Sequence, residues 1–198
     1  MIGIIDYKAG NAPSVLNALH KLGYGAKLIK TSDEVNDSSK IILPGVGSAK
    51  ATMDSLNELG FVDDIKAAVL TKGVPFLGIC IGMQVLFEHS EEGDTRCLGW
   101  IKGTVKRFIG DDIRVPQIGW NRAEFAYSTA FCKNRNDYFY FVNSYYCVPE
   151  DTDIILARTE YGESFCSAIS HKNITATQFH IEKSGEAGLY FLNEFAKD

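Results

Sequence analysis

Short apolar runs alternate with amphipathic stretches through the first half of the chain. Ile2–Asp6 opens with a nearly unbroken apolar run, the pattern of a strand buried on both faces. From Ser14 to Leu22, the residues Val15, Leu16, Leu19 and Leu22 recur at helical spacing and mark one face of a helix. Ala26–Lys30 and Lys40–Leu43 read as strands, and Ala51–Leu59 and Val62–Leu70 as helices. Pro75–Ile79 reads as a strand running directly into a helix over Ile81–Phe87. Strands alternating with helices predict βαβ units and a mostly parallel central sheet flanked by helices.

The texture changes after Gly99. Thr104–Phe108, Tyr138–Val142, Ile154–Arg158, Phe165–Ser170 and Ile174–Phe179 are strand-like, with short turns and little helix between them. A last helix is expected over Gly185–Phe195. The expected fold is therefore α/β, with an antiparallel β extension on one side of the parallel sheet. No repeat, low-complexity tract or linker interrupts the chain, so residues 1–198 are expected to form one domain.

Composition narrows the function classes. Hydrophobic residues make up 45% and charged residues 23% of the 198, a globular balance. The net charge of −5 offers no footprint for nucleic acid or an anionic membrane. No apolar run is long enough to span a bilayer, and Met1–Asp6 lacks the parts of a signal peptide. A cytoplasmic protein is expected. Cys80, Cys97, Cys132, Cys147 and Cys166 contain no Cys-x-x-Cys pair, and His20, His89 and His171 lack ligand spacing, so no metal site is expected.

One cysteine has a special context. In Gly78-Ile79-Cys80-Ile81-Gly82, a nucleophile sits on a predicted strand-to-helix turn between glycines at i−2 and i+2, the form of a nucleophile elbow. The Ile81 N–H could face a developing oxyanion, and the start of the helix favours negative charge on the sulfur. A buried cysteine between two packing glycines is the alternative. In Gln178-Phe179-His180-Ile181-Glu182, residues two apart in an extended segment share a face, so Glu182 can hold the His180 imidazole. The alternative is an exposed polar strand end with a helix cap at Ser184. Leu43-Pro44-Gly45-Val46-Gly47-Ser48 is a strand ending in a glycine loop that could expose a second oxyanion donor. It lacks the lysine and spacing of a P-loop, and a plain structural turn is the other reading.

Taken together, these stretches resemble the class I (triad) glutamine amidotransferases, and more narrowly the glutaminase subunits of imidazole glycerol phosphate synthase. The elbow Gly78-Ile79-Cys80-Ile81-Gly82-Met83-Gln84 and Ala176-Thr177-Gln178-Phe179-His180 carry the likeness to the superfamily. Asp6-Tyr7-Lys8-Ala9-Gly10-Asn11 and Pro116-Gln117-Ile118-Gly119-Trp120-Asn121 carry the likeness to the subunit, and Leu43-Pro44-Gly45-Val46-Gly47 and Tyr140-Phe141-Val142-Asn143-Ser144-Tyr145-Tyr146 match as well.

The resemblance implies Cys80 as nucleophile, His180 as general acid/base and Glu182 as its orienter. It implies oxyanion donors at Val46, Gly47 and Ile81, and a glutamine held by Gln84, Glu92, Ser144 and Tyr145. Asn11, Trp120, Asn121, Tyr140 and Lys183 match the face that docks onto a separate synthase (cyclase) subunit. No cofactor is implied. The implied reaction is hydrolysis of glutamine to glutamate and ammonia for the synthase step of histidine biosynthesis. A paralogue feeding another synthase, such as one that amidates a surface sugar, is the alternative. Ile181 stands where the family usually has proline, Asn143 where it has histidine and Ala49 where it has phenylalanine, while Ala12-Pro13 replaces a larger apolar residue and its neighbour.

Overall fold

A computed structural model describes residues 1–8, 11–60, 62–110, 113–126, 129–133 and 136–197, without the side chain of Asn136. Ala9 and Gly10 of the N-terminal motif lie outside the described residues. The chain runs β1 (Ile2–Ile5), α1 (Ala12–Lys21), β2 (Ala26–Ile29), α2 (Ser32–Asn36), β3 (Lys40–Leu43), α3 (Ala49–Leu59), α4 (Val62–Lys66), β4 (Phe76–Ile79) and α5 (Ile81–Gln84). It continues through β5 (His89–Ser90), β6 (Thr95–Arg96), β7 (Gly103–Arg107), β8 (Gln117–Phe125), β9 (Asn136–Asn143), β10 (Tyr145–Pro149), β11 (Ile155–Tyr161), β12 (Glu163–His171), β13 (Ile174–Thr177) and α6 (Gly185–Ala196).

The described strands form one sheet, and its parallel part has the order β2-β1-β3-β4-β13. β1, β4 and β13 are buried along their whole length, as strands covered on both faces must be. Alternate side chains supply two cores. Ile5, Ile41, Leu43 and Phe76 pack with α3 and α4 on one face, whereas Ile4, Ile42, Leu77 and Ile79 pack with α1 and α6 on the other. β12, β10 and β7 extend the sheet antiparallel, and β8 and β9 form a ribbon joined to it through β11. The expected α/β architecture with its antiparallel extension is the one observed.

Several local expectations change. Val62–Leu70 is not a single α-helix: α4 ends at Lys66 and Ala67–Thr71 is a π-helical turn. The helix after Cys80 stops at Gln84, because Leu98, Trp100 and Ile101 hydrogen-bond back to the carbonyls of Val85 and Leu86 and redirect the chain. α2 was hidden in a polar segment; its capping box pairs Thr31 with Glu34. β8 escaped a hydrophobicity reading because its first half inverts the usual pattern, with Gln117 buried and Ile118 and Trp120 exposed.

Candidate active site

The register of β4 and β13 brings the candidate catalytic residues together. Ile79 is the parallel partner of Thr177, and the Cys80 N–H donates to the Thr177 carbonyl at 2.7 Å. Cys80 and His180 therefore leave neighbouring strands at the same carboxyl edge, where open parallel sheets bind ligands. Cys80 has φ 55° and ψ −110°, a conformation costly for a residue with a Cβ. The two flanking glycines allow it. A Cβ on Gly78 would lie 2.5 Å from the Gly82 carbonyl oxygen, and one on Gly82 would lie 2.0 Å from that of Leu43. Both obstacles are backbone, so the elbow tolerates no side chain at either position.

Burial and hydrogen bonding then define the pair behind the sulfur. His180 Nδ1 meets Glu182 Oε1 at 2.8 Å, with side chains 2% and 0% exposed. The pair closes on a 3-10 turn over Ile181–Lys183 and not on the extended segment expected, because β13 ends at Thr177. It does so without the proline that Ile181 replaces. Ile181 is itself fully buried in the core beside α6. Burial disfavours the imidazolium, but the hydrogen bonds and negative charge of Cys80 and Glu182 outweigh it and push the His180 pKa up to about 10. Gln178 Nε2 lies 3.6 Å from Cys80 Sγ, and the sulfur lies 3.8 Å from the Val142 carbonyl oxygen.

A cleft of about 260 Å³ opens over Cys80, lined by Val46, Gly47, Ile81, Gln84, Glu92, Ser144, Tyr145, His180 and Lys183 among others. The candidate oxyanion and glutamine-holding residues thus share one space, while Glu182 lies buried behind the imidazole. Gly45 makes the near wall possible, since a Cβ there would collide with the Ile81 side chain and the Tyr7 hydroxyl. Gly47 has φ 108°, which turns the loop back into α3. Ile81 begins α5, so its N–H is among those that a helix start leaves without an intrahelical partner. Glu92 reaches the same loop, and its Oε2 accepts from the Ala49 N–H at 2.7 Å.

A family model, glutamine amidotransferase class-I, matches residues 3–198. The chain belongs to the class-I glutamine amidotransferases. It is 46% identical, over 100% of its length and 97% of the relative's, to an imidazole glycerol phosphate synthase subunit HisH of Dehalococcoides mccartyi. Against the subunit HisH of Leptospira interrogans it is 42% identical, with 99% of both chains covered. A crystal structure titled glutamine amidotransferase shares the fold, with a TM-score of 0.77 at 19% identity over 99% of each chain.

The rest of this amidotransferase's predicted face divides in two. Trp120 and Tyr140 are register partners on the outer side of the β8–β9 ribbon, with rings 6.1 Å apart in an edge-to-face arrangement. Ile118, Tyr138 and Val142 extend this exposed apolar side, and Lys183 lies at the cleft mouth. Asn121 does not join them: strand alternation turns it the other way, and its Nδ2 donates to the Glu160 carbonyl. Asn11 reaches inward from the start of α1, where its Nδ2 donates to Glu182 Oε1 instead of capping the helix.

Sequence reasoning left Gln178 without a role. It is fully buried and links Cys80 Sγ to Gln84, whose Nε2 donates to Gln178 Oε1 at 2.9 Å. Its place two residues before His180 was the available signal. Asn143 also lines the cleft, with its Nδ2 bonded to the Tyr145 carbonyl at 3.0 Å.

Proposed function

We propose that this chain is the glutaminase subunit of an imidazole glycerol phosphate synthase. It hydrolyses glutamine to glutamate and ammonia and passes the ammonia to a separate cyclase subunit for the synthase step of histidine biosynthesis. The observation that carries this reading is the strained Cys80 elbow beside a buried His180–Glu182 pair, opening into one cleft. The identity to HisH subunits along the whole chain favours this partner over a sugar-amidating synthase.

In the proposed reaction, the Cys80 thiolate attacks the glutamine carboxamide carbon. The resulting oxyanion is held by N–H groups of Ile81 and the Val46–Gly47 segment. The His180 imidazolium gives its proton to the departing ammonia, leaving a γ-glutamyl thioester. The imidazole, now neutral, takes a proton from water, whose attack releases glutamate and regenerates Cys80. Glu182 keeps the imidazole in one tautomer, and Gln84, Glu92, Ser144 and Tyr145 hold the amino-acid end of glutamine. The ribbon face of Trp120 and Tyr140, with Lys183, is the proposed docking surface. Ammonia released into neutral water becomes non-nucleophilic ammonium, so a docked partner at the cleft mouth suits its use.

Residues 1–198 act as one domain in this reading. The proposed compartment is the cytoplasm, where free thiols such as the buried Cys97, Cys147 and Cys166 stay reduced. Among the described residues, no helix is long and apolar enough to cross a membrane. The test is glutamate release with and without a cyclase subunit carrying its nucleotide-like ligand, together with labelling by an electrophilic glutamine analogue. Labelling is expected at Cys80 alone, and turnover should be low for the isolated chain and rise when the loaded partner docks. Retained turnover in Cys80→Ala would overturn the mechanism.

A further inference from the structure

The turn that carries His180 is fastened to the docking ribbon by a side chain that has given up its usual task. Ser184 occupies the N-cap of α6, where a serine ordinarily accepts from the first turn of its own helix. Its side chain makes no cap hydrogen bond. The residue is 2% exposed. Its hydroxyl donates to the His180 carbonyl at 2.6 Å and accepts from the Tyr140 N–H at 2.9 Å. The His180 N–H donates in turn to the Tyr140 carbonyl at 2.9 Å, closing a ring of three bonds between the turn and β9.

We propose that Ser184 is a positioning residue, whose hydroxyl locks the His180 turn onto β9 and so sets the imidazole over Cys80. The inference rests on the reading of His180 as the general acid/base. The same strand passes the sulfur at the Val142 carbonyl and presents Tyr138 and Tyr140 outward. One strand therefore touches both reacting residues and carries the docking face. A capping serine with no catalytic consequence would need only its own helix, and this one has left the Gly185–Ala196 helix uncapped to reach another element. Displacing a reacting group by about 1 Å costs on the order of a hundredfold in rate, so a loosened turn should appear in turnover rather than in affinity.

The experiment is Ser184→Ala in the full chain, assayed as glutamate release in complex with the loaded cyclase subunit. Cys80 alkylation by iodoacetamide is followed against pH in the chain alone, with the modified peptide identified by mass spectrometry. Cys80→Ala sets the zero of turnover, and residual activity there would sink the reading of the site whatever Ser184 does. Leu192→Ala, in the buried face of α6, controls for loss of stability in the same helix. The expected result is a fall in kcat of about tenfold or more with KM within about threefold, and an altered alkylation profile, in Ser184→Ala alone. A kcat within about twofold of the unmodified protein, or an equal fall in Leu192→Ala, would overturn the proposal. If Ser184→Ala does not fold, Ser184→Cys, which keeps a weaker hydrogen-bonding atom at the site, is judged by the same limits.

Discussion

Replacing Glu182 by glutamine tests the electrostatics of the triad without changing its shape. Glu182 Oε1 accepts from both His180 Nδ1 and Asn11 Nδ2. A glutamine carbonyl oxygen in the same place can accept both bonds, so the geometry persists while the negative charge is lost. A hydrogen bond to a charged group is worth about 1.5–3 kcal/mol net, against about 0.5–1.5 for a neutral pair. The difference, on the order of 1–2 kcal/mol, acts on the imidazolium, because that is the form the carboxylate favours. At about 1.4 kcal/mol per pKa unit, His180 should titrate roughly one unit lower in the variant.

In the unmodified chain, burial opposes the imidazolium, and the Cys80 and Glu182 contacts overcome it to raise the pKa from 6.5 to about 10. The sign follows from that direction. Proton binding by His180 stabilises the folded chain fully below about pH 6.5, and that contribution is lost as pH rises through about 10. In Glu182→Gln it should be smaller and lost earlier. The assay is a pH titration of the imidazole nitrogens by NMR in the 15N-histidine-labelled protein, with His180 assigned by its loss in His180→Ala. An inflection unchanged from the unmodified protein would refute the claim that Glu182 charge supports the imidazolium.

The remaining predictions concern packing and docking. Gly82→Ala places a methyl against the Leu43 carbonyl at 2.0 Å, so the turn must move; urea unfolding should show a loss of about 1–3 kcal/mol or more, with slowed Cys80 alkylation. Ile181→Pro suits the backbone, since His180 is extended at φ −83° and ψ 97° before a turn. It also removes a fully buried isoleucine, so turnover should persist while stability falls by about 1–2 kcal/mol in denaturant titration; unchanged stability would show that Ile181 packing contributes nothing. Trp120→Ala should weaken association with the cyclase subunit by about thirtyfold, the loss expected for a 2 kcal/mol anchor, without altering Cys80 alkylation in the free chain. Titration calorimetry of the two subunits checks it, and an unchanged affinity would move the docking surface off the ribbon.

What could be read from the chain alone was whatever depends on short spacing. Glycines two residues either side of Cys80 announce a turn that no side chain may crowd. His180 and Glu182, two apart, announce a pair that can touch, although they meet on a 3-10 turn and not in an extended segment. The fully apolar runs of β1 and β4 announce strands covered on both faces. Resemblance added partners for these pieces, but it placed Asn121 with Trp120 on one face, where strand alternation sets them on opposite sides. Tertiary structure alone decided how the pieces meet. The parallel register of Ile79 with Thr177 carries Cys80 to His180 across about half the chain, and no local pattern encodes a pairing at that separation. The polar side chains were harder still. Asn11 and Ser184 stand at helix starts, where such side chains ordinarily cap, yet one reaches Glu182 and the other bridges His180 to Tyr140. A buried carboxylate oxygen and a strand amide need partners, and for Glu182 Oε1 and the Tyr140 N–H Asn11 and Ser184 supply them from nearby in space rather than in sequence.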